Sequence, residues 1–160
     1  MRQTITLIIC QALLLAPLTG WTQAAEEETL TVKVTPLQGS LYLLQGRGGN
    51  VVASVGDDGI LIIDDDYAEY ANAYHDALKS VSGTDGLPRF VINTHWHFDH
   101  AEGNLALGRG DTWLVSQANS RAMMLKDNVI NLVIAAYDQK AYPEEALPSV
   151  TFDDTMQFRG

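Results

Sequence analysis

Three of the chain's four histidines, His95, His97 and His100, fall within six consecutive positions, and Asp99 stands between the last two. Imidazole nitrogen and carboxylate oxygen are donors that zinc accepts in hydrolytic sites, usually three of them with a fourth position open to water. Spacing says more than number. In an extended segment His95 and His97 project to one side, roughly 6–7 Å apart, so one ion can draw both rings together. Asp99 and His100 follow where the chain turns into a short helix, and they can face a second position close by. Asp99 is a ligand and also the candidate catalytic group, because its carboxylate can orient a reacting water by accepting its hydrogen bond. Trp96 and Phe98 alternate with the ligands and are suited to line a pocket mouth. A histidine tag or surface tract would lack such interleaved aromatics.

The segment in front of the motif must position it. Phe90-Val91-Ile92 is short and wholly apolar, as a central strand would be, and it runs directly into Asn93-Thr94-His95. The motif therefore sits at the C-terminal end of a strand, where sites in open α/β sheets form. Upstream, strand-like segments follow one another at residues 30–35, 41–45, 51–55 and 60–63. A glycine-rich turn at 46–50 and the hairpin signal Asp57-Asp58-Gly59 separate the later ones. The period then changes to helical between residues 68 and 79, with Ala71, Tyr74, Leu78 and Val81 on one face. After the motif we expect a small helix at 104–107, a strand at 113–115, a longer helix over 118–137 and a strand at 150–152. Strands first, then alternating helix and strand, imply an α+β fold whose mixed sheet carries helices on one side. The other face of that sheet needs a second layer.

The first residues form an export signal: Arg2, an apolar run over 7–16, then Thr22-Gln23-Ala24 as a cleavage site. The expected division is a signal peptide over 1–24 and one domain over 25–160, with a periplasmic or secreted destination and no stable membrane anchor after cleavage. Cys10 is the only cysteine and leaves with the signal, so residues 25–160 contain no thiolate ligand or nucleophile. The formal net charge of −10 argues against nucleic acid or an anionic membrane as partner. A small-molecule substrate is the remaining expectation. His75 falls on the upstream helix as an exposed residue. The pairs Glu144-Glu145 and Asp153-Asp154 read as surface or turn residues.

The stretch Asn93-Thr94-His95-Trp96-His97-Phe98-Asp99-His100, extended by Gly103-Asn104, resembles the metallo-β-lactamase superfamily. The Asp57-Asp58-Gly59 hairpin, Ile60-Leu61-Ile62-Ile63-Asp64, and Leu147-Pro148 ahead of Thr151-Phe152-Asp153-Asp154 support the resemblance, which covers roughly residues 30–160. It implies an αββα sandwich, of which residues 25–160 would be the N-terminal part, about half. It also implies two zinc ions per complete domain. His95 and His97 would hold one ion, Asp99 and His100 the other, each with a histidine further along than residue 160. Asp64 matches the aspartate that supports the metal loop from behind, leaving Asp65 and Asp66 to face solvent or cap the next helix. Where the family often has Thr-Gly-Gly-Asn after the last motif histidine, this chain has Ala101-Glu102-Gly103-Asn104, so Glu102 alters the approach to the metals.

The expected function is that of an exported binuclear zinc hydrolase acting on a β-lactam, thioester, ester, phosphoester or lactone. Two ions about 3.5–4 Å apart would acidify a shared water. The alternative is a non-hydrolytic metal-binding or sulfur-handling protein of the same fold. With two protein ligands per ion, the 160-residue chain alone is expected to be a poor enzyme.

Overall fold

The computed structural model describes residues 30–158. The signal peptide expected over 1–24 lies outside the described residues. Four strands open the fold as an antiparallel meander: β1 (Lys33–Pro36), β2 (Leu41–Gln45), β3 (Asn50–Gly56) and β4 (Gly59–Ile63). The two-residue loop Asp57-Asp58 joins β3 to β4, with Gly56 opposite Gly59. A single turn of 3₁₀ helix, Ala68–Tyr70, leads into α1 (Ala71–Ser82). Then come β5 (Phe90–Asn93), α2 (Phe98–Ala101), α3 (Asn104–Leu107) and β6 (Trp113–Gln117). The chain continues through α4 (Ala118–Met124), β7 (Asn128–Asn131), β8 (Ala136–Gln139) and β9 (Val150–Phe152).

Seven strands form one mixed sheet in the order β1-β2-β3-β4-β5-β6-β9. β4, β5, β6 and β9 run parallel, so their C-terminal ends share one edge of the molecule. Alternation decides which face is covered. Val51, Ala53, Ile60, Ile62 and Val91 point under α1 and α3, where they meet Tyr74, Leu78 and Leu107 in one buried cluster. Their neighbours Val52, Leu61, Ile63 and Ile92 point to the opposite face and are half-buried. The helical stripe on α1 is Ala71, Tyr74, Ala77 and Leu78, which are buried, while Val81 at the end is half-buried.

The long helix expected over 118–137 does not form. α4 stops at Met124, and β7 and β8 make a separate antiparallel hairpin. Asn128 ends the helix by donating its side-chain amide to the carbonyls of Met123 and Lys126. Beyond it, Val129, Ile130, Val133 and Ile134 are β-branched and lose side-chain freedom in a helix. The pattern there is alternating: Ile130 is buried, while Val129 and Asn131 are exposed.

Candidate metal centre

β4 and β5 are parallel neighbours, so the residues that leave their C-terminal ends meet. The Asp64 N–H donates to the Ile92 carbonyl at 2.9 Å, which brings Asp64 beneath Thr94 and the histidine loop. Its carboxylate is saturated there. Oδ1 accepts the Thr94 N–H at 2.7 Å, and Oδ2 accepts the Thr94 hydroxyl at 2.7 Å and lies 2.8 Å from His100 Nδ1. His100 therefore carries its proton on Nδ1 and presents Nε2 outward. Thr94 Oγ1 also lies 3.0 Å from His95 Nδ1. Since its one hydrogen goes to Asp64, the hydroxyl accepts from His95, which likewise leaves Nε2 free. One buried carboxylate thus sets the orientation of two imidazoles.

His95, Asp99 and His100 can each offer a ligand atom within 4.8 Å of the others. Asp99 Oδ2 lies 3.5 Å from His100 Nε2, and the His95 and His100 rings are 4.1 Å apart. Burial, then the neighbouring His100 and His97, hold the His95 imidazole below its ordinary value, which favours the neutral, metal-binding form. Two neutral imidazoles and one carboxylate suit a divalent transition ion, with room for a fourth ligand. The grouping differs from the expected pairs. His97 is close to His95, at 4.7 Å between rings, but stands outside the three-ligand group and packs against Trp96. Among the described residues one such group is present, and His75, half-buried on α1, is not part of it.

The three aspartates after β4 do not share a direction. Asp64 and Asp66 both adopt left-handed backbone angles, φ of 60° and 61°, a conformation that aspartate tolerates better than most residues. Asp65 and Asp66 are not at the surface as expected; both are fully buried. The Asp66 carboxylate accepts from the N–H groups of Arg47, Gly48 and Tyr67 and from the Tyr74 hydroxyl. Asp65 lies behind the motif with neither oxygen hydrogen-bonded. Burial, and then Asp64, push its carboxyl well above the usual carboxylate range. The Gly103 N–H and the Asn93 amide face it and oppose that rise, but neither reaches it with hydrogen-bond geometry. A side chain on Gly103 would collide with Asp65.

The aromatics divide. Phe98 is buried between Tyr67 and Tyr137, with the Tyr137 ring 3.9 Å away, so it packs the hairpin instead of lining a mouth. Trp96 is half-buried beside His97, and its carbonyl accepts from the Gln139 amide at 2.9 Å. Glu102 turns towards the hairpin and accepts from the Tyr137 hydroxyl at 3.3 Å. Burial raises its carboxyl above the ordinary value. The sequence pattern offered no signal for the Tyr137–Glu102 contact, which joins residues far apart along the chain, or for the Asp66–Tyr74 contact, which depends on the backbone turn between β4 and α1.

No family model and no curated protein matches the chain. Solved structures do. A metallo-β-lactamase from Cronobacter sakazakii described by its HARLDQ motif aligns with a TM-score of 0.64 at 15% identity, over 80% of this chain and 50% of its own. A B3 metallo-β-lactamase with an active-site glutamic acid aligns with a TM-score of 0.61 at 20% identity, over 79% and 47%. MEM-A1, a subclass B3 metallo-β-lactamase from a soil metagenome library, gives 0.53 at 22% identity, over 61% and 38%. The chain thus spans about half the length of the first two and less of the third. Its fold is a metallo-β-lactamase-like core, a mixed sheet flanked by helices that corresponds to roughly half of the αββα sandwich.

Proposed function

We propose that this chain carries the metal-binding part of a metal-dependent hydrolase, with zinc as the ion. The observation that carries the reading is the group His95, Asp99 and His100 at the shared C-terminal edge of β4 and β5, with Asp64 orienting its imidazoles. His95 and His100 would bind through Nε2, and Asp99 through its carboxylate. A bound zinc supplies Lewis acidity and lowers the pKa of water in its coordination sphere towards neutrality. Asp99 is partly open to solvent, so its second oxygen can accept a hydrogen bond from a reacting water and hold it in line. Trp96 offers an apolar edge beside the ligands to a substrate's non-reacting part.

In the same reading His97 would be the residue to help hold a second zinc. The substrate is a small molecule with a hydrolysable acyl or phosphoryl bond: a β-lactam, thioester, ester, phosphoester or lactone. The apolar run over 7–16 and Ala24 support export to the periplasm or beyond. No helix among the described residues is long and apolar enough to cross a membrane.

Zinc content after dialysis tests the site. The chain should retain zinc; His95→Ala, Asp99→Asn and His100→Ala should each lose it, while His97→Ala keeps it. Unchanged zinc content in all four variants, or no zinc in the unsubstituted chain, would defeat the assignment. Chelator-sensitive turnover of a β-lactam, ester, thioester and phosphoester panel tests the hydrolase part. Firm zinc binding with no turnover, in a protein extended to the length of the matched structures, would favour the non-hydrolytic metal-binding alternative.

A further inference from the structure

The glycine-rich turn between β2 and β3, residues 46–49, lies against the motif loop. The Gly49 N–H donates to the Asp99 carbonyl at 3.0 Å. The face of Gly49 lies on the His100 imidazole, so closely that a Cβ there would sit 2.5 Å from ring carbon Cε1. A Cβ on Gly48 would strike the Asp99 carbonyl oxygen, at 2.8 Å. No larger residue fits either place without moving a candidate metal ligand.

The turn is held from its other side by Asp66. One carboxylate oxygen accepts the Gly48 N–H at 2.8 Å and the other accepts the Arg47 N–H at 3.1 Å. Tyr74, fully buried on α1, donates its hydroxyl to Asp66 at 2.7 Å and accepts the Gly46 N–H at 2.8 Å. A chain of hydrogen bonds therefore runs from the core helix through Asp66 to the turn and on to the Asp99 main chain, while the turn meets the His100 ring by van der Waals contact. Asp66 and Tyr74 are buried and their bonds to the turn are half-buried, where such bonds are directional and costly to leave unmade.

We propose that Asp66 and Tyr74 are positioning residues for the metal centre, acting through the 46–49 turn to fix the Asp99 main chain and the plane of the His100 ring. Asp64 holds His100 by its nitrogen, and Gly49 holds it by its face. Together they leave the ring one orientation. Asp66 does for the turn what Asp64 does for the histidine loop, and the left-handed backbone at both positions aims the two carboxylates to opposite sides of the same site.

The proposal rests on the reading of His95, Asp99 and His100 as ligands, and two measurements keep the two apart. Zinc affinity, read by competition with a chromophoric chelator, should fall about tenfold or more in Gly49→Ala, the range in which groups behind metal ligands act, and by less, about threefold, in Tyr74→Phe, the scale of a lost hydrogen bond. Imidazole ¹⁵N and ¹H signals of His100 in the metal-free protein should shift and broaden in both variants. Ala77→Gly, which loosens α1 away from the turn, controls for lost stability and should leave both readouts in place. Should the unsubstituted chain bind no zinc, the ligand reading fails, and the His100 signals still decide the positioning claim. His100 signals in folded Gly49→Ala and Tyr74→Phe that match the unsubstituted protein would overturn the proposal. An equal loss of affinity in Ala77→Gly would overturn it too.

Discussion

Two regions press on the histidine loop from different sides. At the end of β4, Asp64, Asp65 and Asp66 are all buried, and Asp64 and Asp66 each accept four hydrogen-bond contacts, from Thr94 and His100 and from Arg47, Gly48, Tyr67 and Tyr74 respectively. The β7–β8 hairpin touches the loop through the Gln139 amide, the Tyr137 ring and a single Tyr137 hydroxyl contact. Its tip stands in water, with Val133 and Ile134 fully exposed. Buried carboxylates admit few geometries, because each lost partner leaves a desolvated group behind. The hairpin lies on the loop by ring contact and partly exposed hydrogen bonds, which tolerate adjustment. The corner fixes Thr94 and His100, and the hairpin packs on Trp96, Phe98 and Glu102.

Asp64→Ala is the severest way to break this contrast. It strips Thr94 of its acceptor and frees His100 Nδ1. We expect a loss of about 3 kcal/mol in stability, from several charge-assisted bonds at roughly 1.5–3 kcal/mol each less the relief of burying a charge. Zinc retention should vanish. Urea denaturation and zinc content after dialysis are the checks, and a variant that keeps both would show that the corner does not orient the loop.

Asp65→Asn sharpens the contrast from inside the corner. The raised carboxyl of Asp65 means that the folded chain keeps a proton the unfolded chain releases. Its share of stability therefore falls as pH rises above the ordinary aspartate value of about 3.9, and goes on falling until the folded carboxyl ionises. Asparagine has no such slope. The variant should gain on the parent as pH rises from 4 to 8, by about 1 kcal/mol at neutral pH, the scale of one unmade buried hydrogen bond. Parallel stability–pH curves for the two proteins would refute this.

The smallest effects belong to the hairpin. Tyr137→Phe keeps the stack on Phe98 and loses one partly exposed hydrogen bond, so its melting curve should move by no more than about 0.5 kcal/mol. Val133→Ser should be neutral. A loss above about 1 kcal/mol at Val133 would mean that the tip is covered in solution, and the contrast would then fail on the hairpin side.

The readable and unreadable parts of the chain follow the same division. β2 was legible to the residue, and the Asp57-Asp58-Gly59 hairpin, the stripe on α1 and the central place of β5 were legible too, because alternation, turn chemistry and helical period are local properties. The cluster of His95, Asp99 and His100 was legible for the same reason: its members are near neighbours along the chain. The helix expected over 118–137 was misread. Its apolar residues fit a helical face about as well as a strand, and only Asn128, which turns back to Met123 and Lys126, shows where the helix ends.

By itself the sequence determined the types of the candidate ligands and their place at the end of a buried strand, which follow from residue chemistry and from strand geometry over a few residues. Asp64 as their support came from the family resemblance. Tertiary structure decided which ligands group together. It brought His95, Asp99 and His100 into one set and left His97 beside Trp96, because the turn into α2 folds the ends of the motif towards each other. It also decided that Asp65 and Asp66 are buried. Three successive aspartates read as a polar corner, and nothing local says that left-handed angles at Asp64 and Asp66 will aim them three ways. The partners that make such a corner stable, Gly48, Tyr74 and Thr94, arrive from the β2–β3 turn, α1 and the loop after β5 only when the sheet is assembled.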